Sequence, residues 1–308
     1  MMSEQRGNQV EQLFAQDPVP IIVSAPRSGT TLLRLMLDSH PLLAIPPETG
    51  FLPLCSRLPD ANRETFFQTV TNYPPDAPAW GDFQISAEAF REKIALIEPF
   101  TIAQGVRAFY QLYVSRFDKP RWGDKTPDHC FHLEAIESLL PESHFIHIIR
   151  DGRDVALSLR KMWFSPGSDI ETLAAYWRDH VTTARLQGLR CQHYLEVRYP
   201  ELILDTHATL ESICRYLNLG FDDSMLRYYE RAPARLSEHK ARYRKDGSLV
   251  VSQADRHHQQ HRTCLPPDSR RISVWKQEMT LRERAIFERI AGDALDEFGF
   301  EIASHDFK

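Results

Sequence analysis

A polar loop between an apolar strand and an apolar helix carries the first candidate ligand-binding residues. The loop reads Ser24-Ala25-Pro26-Arg27-Ser28-Gly29, and Thr30 and Thr31 follow at the start of the helix. Backbone N–H groups at a helix N-terminus bind anions, and glycine lets a ligand approach the backbone closely. The hydroxyls add donors, and the planar guanidinium of Arg27 fits phosphate or sulfate oxygens. The segment therefore predicts an anion site; the alternative is a plain strand-to-helix turn with a threonine cap.

The same loop lacks the lysine of the phosphate loop that binds nucleoside triphosphates. That loop reads G-x-x-x-x-G-K-[ST], and its lysine reaches the β- and γ-phosphates. Here Arg27 lies inside the loop and no lysine precedes Thr30. The chain also has no apolar strand that ends in a lone metal-binding aspartate. A small-molecule kinase that uses ATP and Mg²⁺ therefore remains only as the alternative function.

A carboxylate and a lysine are candidates for proton transfer and charge stabilisation. Glu48 follows a short predicted strand, Leu42–Ile45, and Pro46-Pro47, and open α/β sheets place ligand-binding residues at such strand ends. Its carboxylate can remove the proton of an attacking hydroxyl, or it can be a solvated group beside a turn. Lys125, within Trp122–His129, can stabilise charge on a leaving phosphate, or it can be a surface lysine.

Three polar residues lie close enough to Lys125 in the sequence to join the same site. They are Asp124, Asp128 and His129. His129 is an alternative general base. We nevertheless expect it to be a surface residue at the start of a helix.

Another arginine ends an apolar strand further along the chain. Arg150 follows the run Phe145–Ile149, where an unpaired charge is costly without an anionic partner. Asp151 or Asp154 could be that partner. Ser158 lies two turns into the helix that follows and is expected to face the same crevice. Arg150 is therefore a candidate for a second anion contact.

Two sequence motifs, in this order, resemble a known family. The stretch PRSGTTLLRLMLDSHP closely resembles the 5′-phosphosulfate loop of sulfotransferases that use PAPS (3′-phosphoadenosine 5′-phosphosulfate). The form PRSGTT is most similar to the tyrosylprotein-type and bacterial branches. The stretch IHIIRDGRDVALSL resembles the 3′-phosphate motif of the same family, and Gly123–Pro127 is a weaker match to the family element G-[DE]-K-[TS]-P. The matched segments are spread over most of the chain.

The resemblance implies a role for each candidate residue. Glu48 would be the general base, and Arg27 and Lys125 would stabilise charge. The residues implied to hold the cofactor are Arg27, Ser28, Gly29, Thr30 and Thr31 at the 5′-phosphosulfate, Arg150 and Ser158 at the 3′-phosphate, Tyr199 of the predicted strand Tyr194–Tyr199 at the adenine, and Lys276 in the element that closes over the cofactor. Arg271 and Ser273 are alternatives to Lys276 as phosphate contacts.

The reaction implied by the resemblance is in-line transfer of the sulfuryl group from PAPS to an acceptor hydroxyl, with release of PAP and without a metal. A small metabolite, a lipid, a sugar or a peptide tyrosine would each fit as the acceptor. A further alternative is a non-catalytic nucleotide-binding module, which would bind PAP without a working Glu48 or Lys125. Both residues are present.

The predicted elements place these residues in one domain. Apolar strands alternate with helices, which indicates an α/β protein with three layers (α/β/α), a mostly parallel sheet and a P-loop-like phosphosulfate-binding loop. We expect a flexible or helical tail over residues 1–17 and a single sulfotransferase domain over 18–308. The Arg- and His-rich segment 231–271 is predicted to be a mobile loop region, or short helices, over the active site.

Three histidines in that segment invite a metal-binding interpretation. They are His257, His258 and His261, and positions 257 and 261 would share one face of a helix. No carboxylate or cysteine completes a convincing ligand set. We therefore predict no metal site and a solvated loop that faces the substrate.

Composition and charge narrow the expected cellular setting. The 308 residues are 42% hydrophobic and 26% charged. The net charge of −5 gives the chain no overall positive potential of the kind that attracts nucleic acid. Five widely spaced cysteines without a C-x-x-C pair predict small buried thiols in a reducing compartment. The polar N-terminus has no stretch typical of a signal peptide or membrane anchor. We expect a cytoplasmic, bacterial enzyme, and the oligomeric state stays open.

Overall fold

The computed structural model describes residues 17–302, and the predicted tail over 1–17 lies outside this range apart from Asp17. The strands are β1 (Val19–Val23), β2 (Leu43–Ala44), β3 (Arg121–Trp122), β4 (Asp124–Lys125), β5 (Ser143–Ile149), β6 (Tyr194–Arg198), β7 (Arg242–Tyr243) and β8 (Leu249–Val251). The α-helices are α1 (Thr30–Asp38), α2 (Leu52–Cys55), α3 (Arg63–Thr71), α4 (Ala87–Ala95), α5 (Ile102–Ser115), α6 (Leu133–Leu139), α7 (Gly152–Leu159), α8 (Ile170–Gly188), α9 (Tyr199–Leu204), α10 (Thr206–Tyr216), α11 (Tyr228–Leu236), α12 (Gln253–Gln260), α13 (Trp275–Glu278) and α14 (Leu281–Glu297). Within the described range, none of these helices has the length and apolar character needed to cross a bilayer.

Four strands form a parallel sheet in the order β4-β1-β5-β6, which confirms the predicted mostly parallel sheet. Every residue of β1 and β5 is buried, and this burial explains why both segments are largely apolar runs without alternation. Ile22 pairs with Lys125 of β4 on one side and with Ile146 of β5 on the other. Because the strands run in one direction, their carboxyl ends bring the loop after Val23, Lys125 and Arg150 to one edge of the sheet.

Helices cover both faces of this sheet, as the predicted three-layer fold requires. Ile21 and Val23 belong to a core shared with α3, α4, α5 and α6. Ile22, between them, belongs to a second core shared with α1 and α10. Successive strand residues point to opposite faces, so the two cores lie on opposite sides of the sheet. A third core joins Ile149 to α7, α8 and α14.

The five cysteines are free thiols. Cys55, Cys130 and Cys214 are buried as expected, whereas Cys191 and Cys264 are half-buried. Burial raises the pKa of the Cys55 thiol to about 12, so this group behaves as a small apolar side chain.

The Arg- and His-rich segment 231–271 contains short helices and a hairpin. It contains the end of α11, the antiparallel β7–β8 hairpin, α12 and 3₁₀ turns at His261–Cys264 and Ser269–Arg271. The buried carboxylate of Asp82 anchors it. Asp82 accepts hydrogen bonds from the backbone of Lys240 (2.9 Å) and from the guanidinium groups of Arg242 (3.2 Å) and Arg256 (2.9 and 2.8 Å).

Candidate active site

The predicted anion loop enters α1 through two residues with left-handed backbone. Arg27 has φ 73° and Gly29 has φ 104°. The Leu33 N–H donates to the Gly29 carbonyl at 3.0 Å, so the N–H groups before Leu33 have no acceptor within the helix. Among the described residues, Ser28 Oγ is a buried polar atom without a hydrogen-bond partner. The loop therefore offers backbone and hydroxyl donors to a ligand.

Tyr199 packs directly against this loop. A Cβ atom at Gly29 would lie 2.7 Å from Tyr199 Cδ2, so the close approach requires glycine. Tyr199 is the first residue of α9 and not the last residue of a strand, because Pro200 has a fixed φ that suits the first turn of a helix. The guanidinium of Arg150 lies 4.6 Å from the centroid of the Tyr199 ring. The ring thus connects the loop with the second predicted anion contact.

Arg27 reaches from the loop to the helix after β5. Its Nε donates to Ser158 Oγ at 3.1 Å, so two predicted phosphate contacts meet. Burial lowers the pKa of Arg27 to about 10, and Arg150, Arg262 and Arg271 act in the same direction. Positive charges that act together on Arg27 in this way favour an anion placed among them.

The guanidinium of Arg150 is held mainly by backbone carbonyls. Nη1 donates to the Arg27 carbonyl (3.2 Å) and Nη2 to the Arg271 carbonyl (2.8 Å). Asp154 Oδ2 is 3.6 Å from Nη2, and the Asp154 oxygens accept hydrogen bonds from the backbone of segment 273–275. Among the described residues, the buried Arg150 Nε has no hydrogen-bond partner. Arg150 therefore keeps donor capacity for an anion, and Asp154 is only a partial partner.

Glu48 and Lys125 form an ion pair at the end of the parallel sheet. The Lys125 ammonium contacts the Glu48 carboxylate and lies 3.4 Å from Thr31 Oγ1 of the anion loop. The Lys125 side chain is 5% exposed and that of Glu48 is 49% exposed. Burial lowers the pKa of Lys125, while Glu48 raises it. The structure thus brings together the predicted base, the predicted cation and the start of α1.

A single cleft of about 840 Å³ joins the anion loop to this ion pair. The predicted site residues that line it are Arg27, Gly29, Thr30, Thr31, Glu48, Lys125, Arg150, Ser158 and Tyr199. Its wall also includes Tyr228, Arg262 and Arg270, which the sequence analysis did not single out. The only sequence signal for the two arginines was the high Arg and His content of segment 231–271.

The structure does not bring Lys276 to the cleft. Its ammonium bonds the carboxylate of Glu301 instead. Trp275 is buried in the core between α7, α8 and α14, and this packing turns the next residue outward. Arg271, named above as an alternative to Lys276, does line the cleft.

His129 is buried, in contrast to the surface position expected for it. Its side chain is 1% exposed, and Nε2 lies 3.4 Å from Asp124 Oδ1. Burial lowers its pKa. His129 lines a separate cavity of about 580 Å³ and not the cleft of Glu48. The geometry therefore favours Glu48 over His129 as the base.

The histidines of segment 231–271 do not converge on one point. His261 Nδ1 lies 2.8 Å from the His258 carbonyl, and the two rings stack at 5.4 Å. Within residues 17–302, no group of three or more His, Cys, Asp or Glu side chains is arranged to hold a metal ion.

Comparison with known proteins points to one family. The family model described as "Sulfotransferase family" matches residues 18–223. The nodulation protein NoeE of Sinorhizobium fredii is 25% identical over 92% of this chain and 67% of its own length. Protein-tyrosine sulfotransferase A of Caenorhabditis elegans is 25% identical over 68% of this chain and 52% of its own length.

A solved structure is similar in fold. The sulfotransferase domain of the Synechococcus PCC 7002 olefin synthase aligns with a TM-score of 0.62 and 24% identity, over 93% of this chain and 96% of that domain. The chain spans about half to two thirds of the length of the two relatives named above. Because the family model covers more than half of the sequence, the chain belongs to the sulfotransferase family.

Proposed function

We propose that this chain transfers the sulfuryl group of PAPS to the hydroxyl of an acceptor and releases PAP. The observation that carries the proposal is the direct contact between Glu48 and Lys125 beside Thr31, in the cleft that also holds Arg27, Arg150 and Ser158. A base and a cation thus lie at one end of an anion site. Arg27 occupies the loop where a kinase of this type would carry its lysine, and no observation favours the kinase alternative.

The proposed chemistry needs one proton acceptor and one region of positive charge. The acceptor oxygen attacks sulfur, its proton passes to the Glu48 carboxylate, and a new S–O bond forms. The bond between sulfur and the bridging phosphate oxygen breaks, and that oxygen keeps the electron pair. Lys125 and Arg27 stabilise the charge that develops on the leaving phosphate, because preplaced cations act where charge appears.

The nucleotide would extend from the Glu48–Lys125 pair along the anion loop toward Arg150. The loop amides, Ser28 and Arg27 suit the 5′-phosphosulfate, and Arg150 with Ser158 suits the 3′-phosphate. The charge of Arg150 lowers the pKa of Arg27, so a polyanionic ligand placed between the two would relieve this repulsion. Tyr199 presents a ring for adenine.

The acceptor and the cellular setting belong to the same proposal. A peptide tyrosine, a small metabolite, a lipid or a sugar hydroxyl would each suit a carboxylate base. A cytoplasmic location and a bacterial source stay predictions, supported by the five free thiols and by the bacterial relative NoeE. Independence of any metal is likewise a prediction.

The test is calorimetric titration with PAP in the absence of metal, followed by titration with ATP and Mg²⁺. We expect PAP to bind at least about 100-fold more tightly, and Arg150→Ala to weaken PAP roughly 10- to 100-fold through loss of charged hydrogen bonds. Lys276→Ala is the matched control, because its ammonium points away from the cleft and PAP affinity should stay unchanged. Preference for ATP with Mg²⁺ would contradict the proposal and favour a kinase.

A further inference from the structure

The segment that carries Glu48 is fixed by the residue after it. Residues 46–50 form no helix or strand. Thr49 is 1% exposed and makes hydrogen bonds from both its backbone and its side chain. Its N–H donates to Thr126 Oγ1 (3.1 Å), and its hydroxyl donates to Asp124 Oδ2 (2.7 Å). Asp124 and Thr126 precede and follow Lys125 in the sequence. The two hydrogen bonds of Thr49 therefore hold the Glu48 segment to the residues on both sides of Lys125.

Asp124 is itself held rigidly. It is fully buried and pairs with Ile21 of the central strand. Successive strand residues point to opposite faces of the sheet, so the side chain of Asp124 points away from the face to which Lys125 points. Lys125 lines the cleft. The hydroxyl of Tyr110 donates to the same Asp124 Oδ2 at 2.9 Å, and the Tyr110 ring stacks on Trp122 at 4.1 Å. A carboxylate with these buried partners has little freedom to move.

We propose that Thr49 and Asp124 are positioning residues that hold Glu48 in contact with Lys125 at the start of α1. The inference rests on the proposed function, because it assigns these residues to the geometry of the same transfer. A misplacement of about 1 Å can cost roughly 100-fold in rate. Glu48 has a half-exposed side chain on a segment without regular secondary structure. The two hydrogen bonds of Thr49 to Thr126 and Asp124, called the Thr49 clamp below, therefore fix the backbone of this segment.

The chain offers variants that separate positioning from general stability. Thr49→Val removes the hydroxyl at nearly constant shape, and Thr49→Ser restores it. Thr126→Val removes the acceptor of the Thr49 N–H and provides a second way to loosen the clamp.

The experiment is zero-length cross-linking of Glu48 to Lys125 with a water-soluble carbodiimide, quantified by mass spectrometry of the linked peptides. The reagent joins a carboxylate and an amine that are in contact, with the loss of one water. The Lys276–Glu301 pair, distant from the clamp, is the internal standard. We expect the ratio of the two cross-links to fall at least about fivefold in Thr49→Val and Thr126→Val, and to stay within about twofold in Thr49→Ser.

Either of two results would overturn the inference: an unchanged ratio in both Thr49→Val and Thr126→Val, or an equal loss in Thr49→Ser. A fold defect would lower the internal standard as well and is thereby recognised; Thr126→Val then decides the outcome in place of Thr49→Val. The cross-link needs no nucleotide, acceptor or turnover. A failure here therefore leaves the proposed sulfuryl transfer intact, and that proposal stands or falls with the PAP titration.

Discussion

Glu48 and Lys125 share an ion pair but differ in freedom to move. The Glu48 side chain is 49% exposed and that of Lys125 is 5% exposed. The lysine is confined beside Thr31, where it would meet charge on the leaving phosphate. The carboxylate, in contrast, can rotate from the ammonium toward an acceptor hydroxyl. This difference gives each member of the pair a separate task in the proposed transfer.

Replacing Glu48 by Gln tests the proposed base while keeping the size of the side chain. We expect the transfer rate to fall by about 10²- to 10⁴-fold, because an amide does not accept the proton of the hydroxyl. PAP affinity should change by less than about threefold, since the anion contacts of Arg27, Arg150 and Ser158 remain. The rate is measured as PAP release with an acceptor identified from a panel of phenols, sugars and hydroxylated lipids. The affinity is measured by calorimetry.

The matched control is Glu64→Gln, which removes an exposed carboxylate on α3 that pairs with Arg91 of α4. It should leave both rate and affinity unchanged. Full turnover in Glu48→Gln would move the proton acceptor to another residue. His129 would be a poor candidate even then, because it lines the other cavity.

The strand, loop and helix around Gly29 form the element on which nucleotide binding depends. Gly29 combines a left-handed φ of 104° with direct contact to Tyr199. We expect Gly29→Ala to lower the unfolding free energy by about 1–3 kcal/mol, because the backbone is strained and the new methyl group meets the ring. PAP affinity should fall at least about tenfold, since Tyr199 also contacts Arg150. Chemical unfolding and calorimetry measure the two effects.

Gly292→Ala is the matched control for this glycine. Gly292 lies within α14, and no atom lies within 4 Å of the position that its Cβ would take. Alanine favours a helix interior by about 1 kcal/mol over glycine, so this variant should be slightly more stable and bind PAP normally. Normal PAP binding by Gly29→Ala would mean that the ligand does not use this loop.

The sequence predicts those elements whose signal is contiguous. An uninterrupted run of characteristic residue types marks each of three elements: the loop after β1, the helix α1 and the buried strand β5. The structure has these elements at the predicted places. The run Tyr194–Tyr199 predicts a strand through Tyr199, but Pro200 starts α9 and makes Tyr199 its first residue. The structure places His129 and Lys276 elsewhere than predicted, because their positions depend on packing against Asp124 and Trp275.

Long-range ion pairs attach the segment 231–271 to the rest of the molecule. Arg235 of α11 binds the carboxylate of Asp38 at 2.7 and 2.8 Å, across 197 positions of sequence. Arg242 and Arg256 bind Asp82 in the same way. A pairing over such a distance leaves no local pattern, so the sequence does not predict which residues hold this segment in place. These contacts place the segment beside the cleft, whose wall includes Arg242, Arg256 and Arg262.

The stability of the whole molecule should depend on pH through a histidine in the central sheet. His147 of β5 is fully buried, and its Nδ1 lies 2.7 Å from the Tyr194 hydroxyl. Burial lowers its pKa from 6.5 to about 3. Below about pH 6.5 the unfolded chain binds a proton that the folded chain excludes, so stability falls as pH falls, by on the order of 1 kcal/mol per pH unit. We expect His147→Asn to remove this contribution, measured by urea unfolding between about pH 7 and pH 5.

His207→Asn controls for the loss of an imidazole as such, because His207 is an exposed residue on α10. It should keep the acid sensitivity of the wild type. Asparagine at position 147 offers an amide N–H to the Tyr194 hydroxyl, so the variant tests titration more than packing. An unchanged slope in His147→Asn would assign the acid sensitivity to other buried histidines whose pKa burial also lowers, which are His40, His129, His144 and His239. Loss of the slope would instead place the acid-sensitive group at the centre of the parallel sheet.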